Sequence, residues 1–446
     1  MENIVSILSN ANSATEIIYK KKYSIAEINQ LSGQVAYSLS KNSIKKYDRV
    51  GIQLHNSIEF VISFFAILKL GAVAVLISPE YPVSIKNDLI LENQVKFLID
   101  QNSYVLLQSN MIEPITETSF LDPAVILFTS GTTSKIKPIV ICHNHLWTIT
   151  KLSKLFKWSD VRMLLVNACY HMSGLSYLET AIFGGAKIYL ENKFDTVNII
   201  KVIEENDINF LPCVPSMIYM LLDELGGKKI QGVKYIRISS APVSQSLYYR
   251  TKSNFPNAKI DIIYGSTEGG PSLFGKHPHL ATPDLSVGYP IKGIEYKLIN
   301  EILFIKSPGM SLMLDLDLEG FYNTKDIFEI DDQGFYYFKG RSDNMFTCGG
   351  HNIYPSAIEH VLEKHPDIDQ AVVVPIEDKI KGSKPYAFVK SKSNELIIIE
   401  HCKKYLRNFE IPRKVWRVDK LPLNSLGKID IQKLKEQALE FLNIKR

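Results

Sequence analysis

Six apolar runs, each closed by turn or hydroxyl residues, constrain this chain more than any other feature. They are AVAVLISPEYP (72–82), AVILFTSGTTS (124–134), RMLLVNACYHMSG (162–174), AKIYLEN (186–192), YIRISSAP (235–242) and KIDIIYGSTEGG (259–270). Helix-like stretches lie between them at 196–206, 216–225 and 244–254. Apolar strands alternating with helices predict an α/β fold of buried, largely parallel sheets with helices on their faces. In such sheets ligands sit at the carboxyl ends of the strands. Ser, Thr, Gly and His collect at those ends here. After residue 290 the texture changes to short strands and turns, EILFIKS and then FEIDDQGFYYFKGR, which predict a meander. A compact βα pattern follows, with a helix over 356–365, so a domain boundary is expected near Arg341–Asn344.

Composition excludes other classes. Hydrophobic residues are 46% and charged residues 22%, the values of a globular protein. A formal net charge of +4 does not mark a nucleic-acid binder, so no nucleic-acid partner is expected. Distribution says more than the total: residues 401–446 carry twelve Lys/Arg against five Asp/Glu. That basic end fits a polyanionic ligand or, equally, solvated helix faces. The five cysteines form no C-x-x-C, so neither a disulfide framework nor a zinc site is expected. MENIVSILSNANSATEIIYKKK lacks the pattern of a secretory signal. Phe60 to Ile77 is apolar but broken by Ser63, Lys69 and Gly71. It reads as a buried helix ending at Gly71 and a short strand, not a transmembrane segment. The expected location is cytoplasmic.

Several loops carry chemistry. Thr129-Ser130-Gly131-Thr132-Thr133-Ser134-Lys135-Ile136-Lys137 follows a strand with five hydroxyls, one glycine and two lysines, a composition able to wrap phosphate oxygens. It is no Walker P-loop, and the chain has neither G-x-G-x-x-G nor G-x-S-x-G. Tyr264-Gly265-Ser266-Thr267-Glu268 also ends a strand; its ring can stack on a base and its carboxylate can hold Mg2+. Asp326, Gly340-Arg341-Ser342-Asp343, Cys348-Gly349-Gly350-His351-Asn352 and Pro422-Leu423-Asn424-Ser425-Leu426-Gly427-Lys428 follow in that order. Each alone is ordinary turn chemistry.

Jointly, these segments resemble the adenylate-forming superfamily of acyl-CoA synthetases, aryl- and fatty-acid ligases, peptide-synthetase adenylation domains and luciferases. The resemblance runs from YSIAEINQLSGQVAYSL (23–39) to Lys428. It implies an N-terminal AMP-binding domain of stacked sheets and helices, residues 1–342, and a small mobile α+β C-terminal domain, residues 343–446. ATP, Mg2+ and coenzyme A as co-substrate are implied with it. In the family's T-S-G-T-T-G-x-P-K-G loop, Thr129, Ser130, Gly131, Thr132, Thr133 and Lys137 match as ATP-binding residues. Ser134 and Pro138 replace glycines and Ile136 replaces a proline. The match to Y-G-x-T-E implies that Tyr264 stacks on adenine beside Gly265, that Thr267 meets the α-phosphate and that Glu268 binds Mg2+. Ser240, Ala241 and Pro242 match the strip lining the adenine and acyl pockets, and Asp326 and Arg341 the two ribose contacts. Asp343 matches the hinge, and Gly349 and Gly350 the loop of the thiol tunnel. Lys428 matches the lysine that bridges carboxylate and phosphate during adenylation.

The implied reaction is ATP-dependent ligation of a carboxylic acid to a thiol, through an acyl-adenylate and then an acyl-CoA, with release of pyrophosphate and AMP. Lys428, Thr267 and Mg2+ would offset charge at the α-phosphorus, and rotation of the small domain would then admit the thiol. In Tyr170-His171-Met172-Ser173-Gly174 no acidic residue stands where amino-acid-activating members place an aspartate. This argues for a small carboxylic acid without an α-amino group, with His171 gating the thiol. HMSGLSYLETAIFGGAKIYL is most similar to o-succinylbenzoate:CoA and aryl-acid:CoA ligases. Two alternatives stay open: loading of the acyl group onto a carrier protein, and a non-catalytic nucleotide-binding homologue, the latter because Ser134 and Pro138 alter the phosphate loop.

Overall fold

The computed structural model describes residues 7–8, 11, 13–107, 109–130, 136–152, 157–270, 273–276, 279–378, 382–424 and 428–442. Its architecture is mixed α/β, with a large N-terminal domain and a smaller C-terminal one. Two sheets form the large core. One has seven strands in the order Lys259–Ile263, Tyr235–Ser239, Phe210–Cys213, Arg162–Leu165, Lys187–Leu190, Glu16–Tyr19 and Lys21–Ser24. Its neighbours are parallel except for the hairpin of the last two strands. The other has five, in the order Phe97–Ile99, Arg49–Ile52, Val73–Leu76, Pro123–Ser130 and Ile136–Cys142, parallel except for the final pair.

The helices Ile25–Lys41, Ile58–Lys69 and Met172–Gly184 supply buried residues to one apolar cluster with strands of both sheets. They form the layer between the two sheets. Ile58–Lys69 is apolar almost all round and buried at every residue but Glu59, with Phe60, Phe64 and Phe65 inaccessible, as a helix between two apolar faces must be. Ser57 caps it by accepting from the Phe60 N–H at 3.1 Å, and Gly71 turns the chain at φ +65° into the strand Val73–Leu76. The helix-then-strand reading of Phe60 to Ile77 therefore holds. Among the described residues no helix is long and apolar enough to cross a membrane. Helices Thr196–Glu205, Pro215–Leu225 and Gln245–Asn254 cover the outer face of the seven-stranded sheet.

The expected meander is the antiparallel sheet Glu295–Ile299, Ile302–Lys306, Tyr322–Ile330 and Tyr336–Arg341. Beyond it, strands Phe346–Cys348, His351–Ile353, Ile368–Asp378, Gly382–Ser391 and Val415–Arg417 make a smaller sheet. Helices Pro355–Glu363 and Glu395–Tyr405 pack on one of its faces and Ile431–Phe441 on the other. The hairpin Glu16–Ser24 escaped the sequence reading, because EIIYKKKYS has too few apolar residues to signal two strands.

Candidate active site

The strand Lys259–Ile263 ends at the cleft and delivers Tyr264. Its ring packs against Phe328 at 4.8 Å and Phe274 at 5.8 Å, and its hydroxyl donates to Asp326 Oδ2 at 2.6 Å. The following loop is rigidly built. Ser266 and Gly270 exchange backbone bonds of 3.1 and 3.0 Å, and the Gly269 N–H donates to Ser266 Oγ at 2.8 Å. Ser311 donates from both its backbone N–H and its hydroxyl to the Glu268 carbonyl, at 2.8 and 2.9 Å. Thr267 and Glu268 are thereby presented from a fixed backbone.

Asp326 and Arg341 are register partners on adjacent strands. Arg341 Nη1 donates to Asp326 Oδ1 at 3.0 Å, while its Nε and Nη2 form a two-pronged pair with Asp343 at 2.8 Å each. Burial pushes the Asp326 carboxyl up to about 6, and the Tyr264 hydroxyl and the Arg341 charge pull the other way. Asp343 lies in the short turn Ser342–Asn344, between the strands Tyr336–Arg341 and Phe346–Cys348. Just before it, Gly340 has φ +145°, and a Cβ there would stand 2.3 Å from Ser356 Oγ on the helix Pro355–Glu363. Only glycine permits that approach.

His171 caps the helix Met172–Gly184 from an extended conformation. Its carbonyl accepts from the Leu175 N–H at 3.0 Å, and its ring stands edge-on to Tyr170 at 4.8 Å. The helix starts close to the preceding loop, since a Cβ on Gly174 would lie 2.3 Å from the Ala168 carbonyl oxygen. His171 Nε2 is buried with no hydrogen-bond partner among the described residues. Burial, and then the positive charge of Lys428, lower its pKa to about 4, so the ring is neutral near pH 7. Ser240 leaves the strand Tyr235–Ser239 at φ +73° and leads into Ala241 and Pro242.

Lys428 comes from the small domain. Its backbone N–H donates to Asn424 Oδ1 at 3.1 Å, its carbonyl accepts from the Asn424 N–H at 2.7 Å, and Leu423 bridges to Ile429. Its ammonium lies within electrostatic reach of Glu268, Asp326 and Arg341. Crowding by protein lowers its pKa, the two carboxylates oppose that, and the residue keeps an exposed surface. Lys428, His171, Glu268, Asp326 and Arg341 thus converge on one cleft. Gly349 and Gly350 occupy an exposed turn between Phe346–Cys348 and His351–Ile353, with φ +59° and +85°, and no described contact ties that turn to this group.

Thr129 and Ser130 close the strand Pro123–Ser130, and Lys137 stands opposite Thr129 on the returning strand. Gly131, Thr132, Thr133 and Ser134 lie outside the described residues. Pro138 falls in the edge strand of its sheet, opposite Phe128, where a missing N–H is tolerated. Two site residues escaped the sequence reading. Ser311 is one; the other is Tyr322, which feels the charges of Glu268, Arg341, Asp326 and Asp343. Ser311 sits in no recognisable motif, and Tyr322 opens the Tyr322-Asn323-Thr324-Lys325-Asp326 segment, in which only Asp326 is assigned a role from sequence. Among the described residues no group of three His, Cys, Asp or Glu could hold a metal. A single carboxylate such as Glu268 fits Mg2+, which commonly takes one or two carboxylates plus substrate phosphates and water.

Comparison with known proteins shows the family and the fold. The model of the AMP-binding enzyme family matches residues 9–118 and 110–309, and that of the AMP-binding enzyme C-terminal domain matches 357–428. A 2-succinylbenzoate–CoA ligase of Listeria innocua is 25% identical over 95% of this chain and 96% of its own length. ATP-bound MatB from Rhodopseudomonas palustris superposes with a TM-score of 0.89 at 21% identity, covering 99% of both chains. Apo MatB, with the same coverage, gives 0.76. MenE, the o-succinylbenzoate CoA synthetase of Bacillus subtilis, in complex with its acyl-adenylate intermediate, gives 0.81 at 23% identity over 97% and 96%.

Proposed function

The chain belongs to the AMP-binding enzyme family, and we propose that the acid it activates is an aryl acid of the 2-succinylbenzoate type. It is an ATP-dependent, AMP-forming acid–CoA ligase. A carboxylate oxygen attacks the α-phosphorus of ATP, the bond to the β-phosphate oxygen breaks, and pyrophosphate leaves. The thiol sulfur of coenzyme A then attacks the acyl carbon, AMP leaves, and the thiol proton passes to solvent. The aryl assignment rests on the name of the Listeria relative and on the absence of an acidic residue between Tyr170 and Leu178 that would pair with a substrate ammonium.

In this reading Asp326 and Arg341 hold the ribose, Tyr264 and the Ser240-Ala241-Pro242 strip bound the adenine, and Thr267 donates to the α-phosphate. Lys428 would bridge the attacking carboxylate and the phosphate, offsetting the charge that builds at phosphorus. Mg2+ held by Glu268 would neutralise the phosphate oxygens. Neutral His171 borders the approach of the thiol. The observation that carries these roles is the convergence of Lys428 with Glu268, Asp326 and Arg341, groups supplied by four segments of the chain.

We place the domain boundary between residues 342 and 343, giving domains of 1–342 and 343–446, because the buried clusters on the two sides draw on separate residues. Gly349 and Gly350 would reach the thiol path only after rotation about Asp343. A cytoplasmic location fits five cysteines that are all buried and unpaired. A carrier protein as acceptor finds no counterpart among the relatives named above.

Hydroxylamine trapping across aryl, cinnamic and fatty acids tests the reading, followed by coenzyme A against a holo-carrier as acceptor. Hydroxamate is expected with 2-succinylbenzoate, and the thioester with coenzyme A. No acid-dependent hydroxamate from any acid would sink it, and transfer to the carrier alone would reassign the acceptor.

A further inference from the structure

Away from the cleft, the two domains meet through four charges in an alternating row. Lys390, on the small-domain strand Gly382–Ser391, donates to Asp223 Oδ2 at 2.5 Å. Asp223 Oδ1 lies 3.4 Å from Arg250 Nη2, and Arg250 Nη1 lies 3.2 Å from Asp369 Oδ1 on the strand Ile368–Asp378. Asp223 and Arg250 belong to neighbouring helices of the large domain, Pro215–Leu225 and Gln245–Asn254. Each domain therefore contributes one acid and one base, and both contacts between domains join opposite charges. Beside the row, the buried Tyr219 hydroxyl donates to the Asp369 carbonyl at 3.0 Å and lies 3.0 Å from Ser244 Oγ.

We propose that Lys390, Asp223, Arg250 and Asp369 form a latch that holds the small domain in the orientation in which Lys428 enters the cleft, and that this latch opens before the thioester step. They are positioning residues acting through Lys428, so the proposal rests on the reading that Lys428 serves adenylation. The side chains are 24–45% exposed. Each pair is therefore weak by itself, as exposed ion pairs are, and a row of them is worth more than an isolated pair. Such strength suits a catch that must release in every turnover: it biases two orientations without fixing one.

The test reverses charges in matched sets. Lys390→Glu with Asp369→Lys reverses the small-domain pair, and Asp223→Lys with Arg250→Glu reverses the large-domain pair while keeping the contact inside that domain. Each double variant should slow acid-dependent pyrophosphate release about three- to tenfold, the scale of a few partly exposed pairs. Thioester formation from supplied acyl-adenylate should remain at the parent rate or above it, and the fourfold variant should recover adenylation. Equal loss in both half-reactions, no loss in either, or no recovery in the fourfold variant would overturn the latch. Small-angle scattering of the same proteins with ATP reads the orientation without turnover. Both double variants should depart from the parent profile and the fourfold variant should return to it; identical profiles throughout would also overturn the latch. If the parent protein releases no pyrophosphate with any acid, the ligase reading fails, and scattering still decides the latch.

Discussion

The Tyr264 hydroxyl donates to Asp326 Oδ2 at 2.6 Å, so the aromatic ring assigned to the base and the carboxylate assigned to the ribose are built as one unit. The other Asp326 oxygen accepts from Arg341, which grips Asp343 with its remaining donors. A chain of contacts therefore runs from the YGSTE loop to the turn Ser342–Asn344.

Titration of that unit should be visible in the kinetics. Ribose hydroxyls donate more strongly to a carboxylate than to a carboxylic acid, and the Asp326 pKa is raised to about 6. Activity with limiting ATP should fall as one proton binds below about pH 6. Asp326→Asn should remove that limb and raise the KM for ATP about 10- to 100-fold, the worth of a charge-assisted bond. The sign for stability is opposite. With the folded pKa above the unfolded value, ionisation of Asp326 costs stability as pH rises from about 4 to 6, so parent and variant should converge in acid. An unchanged pH profile in the variant would contradict the assignment.

Gly340 sets how closely the strand Tyr336–Arg341 meets the helix of the small domain. Gly340→Ala places a methyl group 2.3 Å from Ser356 Oγ at φ +145°. The backbone strain alone is worth about 1–3 kcal/mol. Adenylation should drop, and adding Ser356→Gly should restore part of the loss, since it removes the clash and leaves the strain. Thermal denaturation and pyrophosphate release on the two variants check both parts.

Glu179 lies in the core on the helix Met172–Gly184, wholly buried, and among the described residues neither of its carboxyl oxygens has a hydrogen-bond partner. Burial raises its pKa well above the usual range, so folding keeps a proton that the unfolded chain releases. Its cost to stability therefore grows as pH climbs above about 4.5. Glu179→Met, of similar volume, should raise stability by about 1–3 kcal/mol at pH 7 and flatten its fall with pH. Denaturant titrations at pH 5 and pH 8 would measure it, and destabilisation at both would argue for an unseen partner.

Much of this fold is legible along the chain because strand, turn and motif coincide. AVILFTSGTTS and KIDIIYGSTEGG each carry an apolar run and a polar terminus, and the meander after residue 290 shows its alternation openly. What stays hidden depends on long-range pairing. The bond from Tyr264 to Asp326 spans 62 residues, the grip of Ser311 on Glu268 spans 43, and the contact of Lys390 with Asp223 spans 167. No local pattern marks Ser311, Asp223 or Lys390, since a serine or a charged surface residue takes its meaning only from what folding sets opposite it.

Lys428, carried on the small domain, would serve only the first of the two reactions at the shared cleft. The decisive variant is Lys428→Ala, assayed separately for acid-dependent pyrophosphate release and for thioester formation from supplied acyl-adenylate. The first rate should fall about 100- to 1,000-fold, the usual loss when a transition-state donor is removed, and the second should stay within about twofold of the parent. Equal loss of both rates, or retention of the first, would contradict the account.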